Sequence, residues 1–307
     1  MRCPTLTELP SPPSGRRGWP WTEAGSHPDA APANGHAWPR ISVVMPSYNQ
    51  GAFLEAAIRS VLLQGYPDVE LVVVDGGSSD RSVDVIARYE PWLASWCSEP
   101  DGGCAHALNK GFARTTGEIL GYLNSDDWYL PGCFPGVARA MEARPDAGVV
   151  YGNGCFAGPS ERPGRPLFSD AWSLRRFAYR PSMLLQQATF FRRSALEKVG
   201  GFNESNRSCW DAELVADMAL AGARFHRIEG FLGAFRVHGD SITGSARLRD
   251  DFRREIRRVR EKILGRPETA ADRAYALSLR LARFGAHPVR IVGDKRFVRS
   301  VLGRWSL

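Results

Sequence analysis

A chain of 307 residues, 43% apolar and 24% charged, has room for one large globular domain and an appendage. It contains no apolar run near the roughly 18 to 20 residues of a membrane-spanning helix, and Arg2 is followed by no signal-like apolar stretch. An integral-membrane or exported protein is therefore not expected, and the chemistry is placed in the cytoplasm. The net charge of +7 is local: 17 Lys/Arg against 7 Asp/Glu lie beyond residue 246, which leaves the remainder slightly acidic and argues against a nucleic-acid partner. Six scattered cysteines without a CxxC pair read as reduced thiols.

Residues 1–39 carry repeated prolines and glycines without apolar periodicity, so they read as a disordered extension. Ile41 to Met45 is a buried-strand run that Pro46 is expected to end. Phe53, Leu54, Ala57, Ile58, Val61 and Leu62 then recur at helical spacing up to Gly65. A continuous β-branched strand, Val69 to Val74, is followed by a short helix through Val83, Ile86 and Tyr89. A strand near Ser95 to Ser98, a helix from about Ala105 to Ala113 and a strand from Ile119 to Leu123 complete the series. This β-α-β-α-β rhythm predicts an α/β fold, a Rossmann-like, mostly parallel, doubly wound sheet.

In such sheets ligands bind beyond the carboxyl ends of the strands, and every polar motif falls there. Pro46-Ser-Tyr48-Asn49 follows the first strand and Asp75-Gly76-Gly-Ser-Ser-Asp80 the second. Glu99-Pro-Asp101-Gly-Gly103 follows the third and Asn124-Ser125-Asp126-Asp127 the fourth. Asp75 can accept from a base N–H or a ribose hydroxyl, although Asp-Gly and Ser-Ser-Asp are also ordinary turn and cap vocabulary. Adjacent carboxylates at 126 and 127 repel unless a cation or a solvated loop relieves them, which suits Mg²⁺ or Mn²⁺ bridged to a diphosphate; an acidic helix start is the alternative. Farther on, Leu214, Val215, Met218 and Leu220 suggest the buried face of a helix, with Asp211 in its first turn as a cap or a general base. Arg236 and His238 can supply phosphate or metal contacts or serve structure alone.

Taken together, residues 40–245 resemble the family-2 glycosyltransferases. The likeness is carried by Ile41 to Asn49, Val74 to Asp80, Ser98 to Gly103 with Leu108-Asn109-Lys110-Gly111, Leu123 to Asp127, Gln187 to Phe191 through Gly201-Phe202, and Trp210 to Leu214. The resemblance implies a GT-A fold and inverting, divalent-metal-dependent transfer from a nucleotide-diphosphate sugar to a hydroxyl of a glycan or lipid-linked acceptor, as in cell-surface polysaccharide biosynthesis. It makes Asp211 the base, Asp126 and Asp127 with His238 the metal site, and Pro46, Tyr48, Asn49, Asp75, Gly76, Asp101, Asn109, Lys110, Asn124, Ser125 and Arg236 the donor contacts. Asn124 stands where a full DxD has its first Asp, and Ala105-His106 where relatives often carry Tyr-Asp. A catalytically impaired nucleotide-sugar binder and a sugar nucleotidyltransferase are the competing readings.

Residues 246–307 form a basic helical region. Phe252, Ile256, Val259 and Ile263 make an apolar stripe bordered by Arg253, Arg254, Arg257, Arg258 and Arg260. Such a helix either packs on the catalytic domain with a solvated basic face or lies on an anionic membrane surface.

Overall fold

The computed structural model describes residues 2–25, 37–158, 164–179, 184–239, 241 and 248–286. Strands β1 (Ile41–Ser47), β2 (Val69–Asp75), β3 (Ser95–Ser98) and β4 (Ile119–Tyr122) form a parallel half-sheet in the order β3-β2-β1-β4. Three helices lie between them: α1 (Leu54–Leu62), α2 (Ser82–Tyr89) and α3 (Cys104–Phe112). The β1 strand is buried throughout, Ser42 and Ser47 included, because both of its faces are covered. Ile41, Val43 and Met45 enter one core with Leu54, Ile58, Val61 and Ile86, whereas Val44 enters the opposite core with Leu108 and Phe112. Gly111 lets α3 lie close on β1, since a Cβ there would come within 2.3 Å of Val44 Cγ1.

Pro46 does not end β1, as the sequence suggested. It stays in register with Val74, while pairing with β4 stops at Val44 and Tyr122. Proline lacks only its N–H, and it is tolerated at the point where one neighbour has run out.

Beyond β4 the sheet becomes mixed. It continues through β8 (Thr189–Arg192), β6 (Ala147–Ala157), β9 (Arg224–Arg236) and β5 (Trp128–Tyr129), with β7 (Pro166–Leu167) on β6. β8 runs antiparallel to both β4 and β6, and β9 runs parallel to β6 with register shifts. Helices α4 (Cys133–Ala143), α5 (Leu174–Ala178), α6 (Arg193–Val199) and α7 (Trp210–Leu220) complete the domain. Leu214, Val215 and Met218 of α7 are buried as expected, but Leu220 is exposed because it ends the helix.

The N-terminal segment departs from the expected disorder over residues 2–25. Cys3, Leu9 and Trp21 are buried there, and the guanidinium of Arg59 on α1 donates to the carbonyls of Pro10, Pro20 and Trp21 at 2.9 Å each. Trp19 Nε1 donates to the Tyr129 carbonyl at 2.8 Å. A proline-rich strap needs no apolar periodicity when a buried cation gathers its carbonyls. Residues 26–36 lie outside the described residues, as does the boundary expected at 245.

The apolar stripe of α8 (Arg249–Leu264) packs on the domain. Phe252 and Val259 are buried with Cys209 and Ala216, flanked by Ile256 and Ile263. Arg258 and Lys262 pair with Glu213 and Asp217 of α7, and Arg260 pairs with Glu268 at 2.6 Å. Those apolar groups therefore cannot also insert into a bilayer. Helix α9 (Ala270–Ala286) follows, and residues 287–307 lie outside the described residues. No helix among the described residues is long and apolar enough to cross a membrane.

Candidate active site

Because β1 to β4 are parallel, their carboxyl ends bring the four polar motifs to one edge. The first two loops are clipped together. Asn49, at φ 53°, accepts from Ser79 N on its side-chain oxygen, its own N–H donates to Ser78 Oγ, and Gly51 N donates to Asp80 Oδ2. Pro46 is buried within β1, whereas Tyr48 projects with 62% of its surface exposed.

Asp75, read from the sequence as a nucleoside contact, is fully buried and already satisfied. Its carboxylate accepts from Ser78 N at 2.8 Å, Ser78 Oγ at 2.6 Å and Ser98 Oγ at 2.7 Å. It builds the loop and does not face outward. The outward carboxylate belongs to Asp101. A Cβ on Gly76 would lie 3.0 Å from Asp101 Oδ2 and 3.4 Å from Tyr48 Cδ2, so the missing side chain lets ring and carboxylate both approach this turn closely. Asp101 is steadied by Gly103 N, which donates to Oδ1 at 2.7 Å, and His106 Nδ1 accepts from Gly102 N at 2.9 Å.

Asn109 and Lys110 are engaged in the fold. Asn109 donates to the Phe202 carbonyl and to Glu204 and accepts from Phe202 N, tying α3 to the loop before α7; Lys110 pairs with Glu99.

The two acidic neighbours after β4 part company. Asp127 is buried and accepts from Arg236 N at 2.8 Å and from Gln187 Nε2 at 2.6 Å. Burial, reinforced by the charge of Asp126, pushes its carboxyl well above the usual range despite those donors. Each oxygen thus accepts a hydrogen bond from inside the protein, which ties Asp127 to β9 and to the segment before β8. Asp126 instead turns toward His238, with Oδ2 and Nε2 3.0 Å apart. Ser125 is buried, and Asn124 reaches Gln186 Oε1 at 3.4 Å.

Arg236, expected over a diphosphate, is completely buried. Its guanidinium lies between the rings of Phe53 and Trp128, 4.6 and 4.7 Å from their centroids, and Nε donates to the Asp126 carbonyl at 2.7 Å. Phe53 also packs on His238, with centroids 4.6 Å apart. Arg236 and Phe53 therefore hold the Asp126–His238 pair from behind. Phe53, Gln186, Gln187 and Trp128 carried no sequence signal for these roles, because their partners are distant in the chain.

Asp211 occupies the first turn of α7. Its place relative to the strand-end motifs is marked by Cys104. That thiol is pushed well above its ordinary pKa, first by burial and then by Asp101, Asp211 and Asp126 together. Carboxylates from the loops after β3 and β4 and from α7 are thus all close enough for their charge to be felt at one side chain. Among the described residues no group of three or more His, Cys, Asp or Glu forms a complete metal cage. Asp126 Oδ2 and His238 Nε2 are hydrogen-bonded to each other, and a carboxylate oxygen beside an imidazole nitrogen is a donor pair that fits Mn²⁺ better than Mg²⁺, which prefers oxygen alone.

Residues 42–200 match the family described as Glycosyl transferase family 2. The chain belongs to that family. This family-2 enzyme is 35% identical over 188 residues to the uncharacterized glycosyltransferase Rv1514c of Mycobacterium tuberculosis, a match covering 59% of this chain and 70% of that protein. It is 30% identical over 181 residues to a PGL/p-HBAD biosynthesis glycosyltransferase of Mycobacterium bovis, covering 57% and 68%. Its fold matches that of S. aureus TarS 1-349 in complex with UDP-GlcNAc, with a TM-score of 0.61 at 18% identity over 86% of this chain and 79% of that one. It also matches the mannosyltransferase PcManGT of Pyrobaculum calidifontis in complex with GDP-Man and Mn²⁺, with a TM-score of 0.55 at 22% identity over 90% and 81%. This glycosyltransferase therefore has the GT-A fold, with a mixed α/β sheet flanked by helices.

Proposed function

We propose that this glycosyltransferase moves a sugar, with inversion, from a nucleotide-diphosphate sugar to a hydroxyl of a glycan or lipid-linked acceptor, using a divalent cation. The observation that carries the reading is the Asp126–His238 pair standing at the same edge as Asp101 and Asp211. The nucleotide sugars bound by TarS and PcManGT, and the Mn²⁺ of the latter, support the choice of donor and cation. The relative named for PGL/p-HBAD biosynthesis supports a biosynthetic role, which we place in cell-surface polysaccharide assembly at the cytoplasmic side of the membrane.

In this reading Tyr48 and Asp101 take the nucleoside. The tyrosine ring offers a stacking face, and Asp101 Oδ2 accepts a base N–H or ribose hydroxyl. Asp126 and His238 would hold the cation, which when bound neutralises charge on the diphosphate. Asp211 accepts the proton of the acceptor hydroxyl as its oxygen bonds to the anomeric carbon. The bond from that carbon to the phosphate oxygen breaks on the opposite face, so the configuration inverts. Asp75, Arg236, Asp127 and Asn109 keep these groups in place without touching substrate.

The test is a panel of nucleotide sugars with and without Mn²⁺ or Mg²⁺, read by thermal shift and donor hydrolysis. A ligand that binds the folded state raises its apparent stability, so the acceptor need not be known. If no nucleoside diphosphate or nucleotide sugar stabilises the protein with cation present, the reading is wrong. Donor binding without turnover would favour an impaired nucleotide-sugar binder.

A further inference from the structure

We propose that Glu255 on the C-terminal helix α8 is a positioning residue for transfer, setting the loop from which α7 presents Asp211. The inference rests on the reading of Asp211 as the base. Glu255 is only 3% exposed, and its partners are two backbone N–H groups and a hydroxyl. Oε1 accepts from Arg207 N at 2.8 Å, while Oε2 accepts from Ser208 N at 3.0 Å and from the Ser208 hydroxyl. Burying a carboxylate is costly unless donors satisfy it. Docking α8 requires no such group, since Phe252 and Val259 already bury apolar surface against the domain. What the carboxylate adds is a fixed conformation at residues 207 and 208, immediately before Cys209 and the first turn of α7.

A second contact from α8 secures the other side of Asp211. Arg258 Nη2 donates to Glu213 Oε2 at 2.6 Å, and Glu213 also accepts from Asn203 Nδ2 at 3.0 Å and Asn206 Nδ2 at 2.7 Å. Burial pulls the Glu213 carboxyl up, but the donors Asn206, Asn203 and Arg258 outweigh it and keep the group ionised below its ordinary range. Asn206 Oδ1 in turn accepts from Cys209 N at 2.9 Å and Ser208 N at 3.2 Å. Asp211 is thus bracketed, with Glu255 and Asn206 fixing the backbone before it and Glu213 the turn after it. The same bond to Arg207 N places that exposed side chain beside the donor-side loop, with Nε 3.9 Å from the position a Cβ on Gly103 would take. Helix α8 therefore sets the gap between Asp211 and the loop carrying Asp101. It is part of the catalytic unit, although it lies beyond the family match that ends at residue 200.

Glu255→Gln in the full chain tests this, because glutamine keeps the volume but turns one acceptor into an NH₂ facing a backbone N–H. UDP-GlcNAc and GDP-mannose with Mn²⁺ are the probes, read by donor hydrolysis and thermal shift well below Tm. The expected result is a fall in kcat of roughly 10- to 100-fold, the scale of a misplaced catalytic group, with donor KM and the donor-induced shift within about twofold of wild type. Ser208→Ala, which removes one of the three donors, should show a smaller fall in kcat and serves if the glutamine variant does not fold. Val259→Ala loosens the same helix face through a cavity and should lower Tm while leaving kcat per folded molecule unchanged. Wild-type kcat in Glu255→Gln, or an equal loss in Val259→Ala, overturns the positioning role. Full turnover in Asp211→Asn would remove the base assignment and this inference with it.

Discussion

His238 Nε2 lies 3.0 Å from Asp126 Oδ2, although 112 residues separate the two in the chain. The contact joins the loop after β4 to the segment after β9, and Phe53 and Arg236 back it from the interior. Asp126→Ala and His238→Ala should each weaken cation-dependent donor binding by at least the roughly 10- to 100-fold that loss of an outer-shell partner costs at a metal site. Titrating Mn²⁺ at fixed nucleotide sugar and following Tm measures this. A His238→Ala protein with an unchanged Mn²⁺ midpoint would remove His238 from the site.

Asp127 separates a ligand role from a structural one. Asp127→Asn retains an acceptor for Arg236 N, and the Gln187 amide can rotate to present its oxygen, so stability and the Mn²⁺ response should stay near wild type. Asp127→Ala leaves both donors unpaired and should cost about 1–3 kcal/mol per stranded group. Chemical denaturation of the two variants reads the difference. If Asp127→Asn loses the Mn²⁺ response as fully as Asp126→Ala, both carboxylates are ligands.

These residues also mark where sequence reading stops. The alternation of Ile41, Val43 and Met45 against Val44 is local, so the parallel half-sheet and the edge that gathers the motifs could be read from patterning alone. Which of two adjacent aspartates turns inward could not, because it is decided by Arg236 N and by Gln187, 109 and 60 residues away. Asp75 reads as a ligand contact or as turn vocabulary, and the turn prevails: Ser78, three residues on, takes both of its oxygens and Ser98, on the next strand, adds a third donor. The N-terminal strap was hidden for a related reason. Arg59 sits among the apolar residues of α1 and has no sequence-local partner, yet it organises residues 10 to 21.

Asp211→Asn should keep the cation-dependent thermal shift with donor and lose about 10²- to 10⁴-fold in turnover, the range assigned to a positioned general base. The amide is nearly isosteric, so the helix start should persist. Loss of donor binding together with turnover would move Asp211 from the acceptor side to the donor side.

Arg59→Met should detach the strap. The Pro10, Pro20 and Trp21 carbonyls and the Tyr89 hydroxyl would lose their donor, at about 1–3 kcal/mol for each group left buried and unsatisfied. Limited trypsin digestion should then cut at Arg16 and Arg17 well before the rest of the domain. Equal resistance in the variant and the wild type would show that Cys3, Leu9 and the tryptophans hold the segment without the cation.

Docking of the last described helix should depend on pH through Asp272. Arg266, Thr269 and Tyr179 all donate to its carboxylate, and these bonds hold its pKa well below the usual range. A folded-state pKa below the unfolded value means that the unfolded chain binds the proton more readily. The contribution to stability is therefore complete above the ordinary carboxylate pKa of about 4 and is lost progressively as the pH falls below it. Asp272→Asn should accordingly lower Tm at pH 7, and the gap to wild type should narrow as the pH is taken from 5 toward 3. A gap that stays constant across this range would assign the stabilisation to packing of Tyr179 and Ala276 and not to the charge.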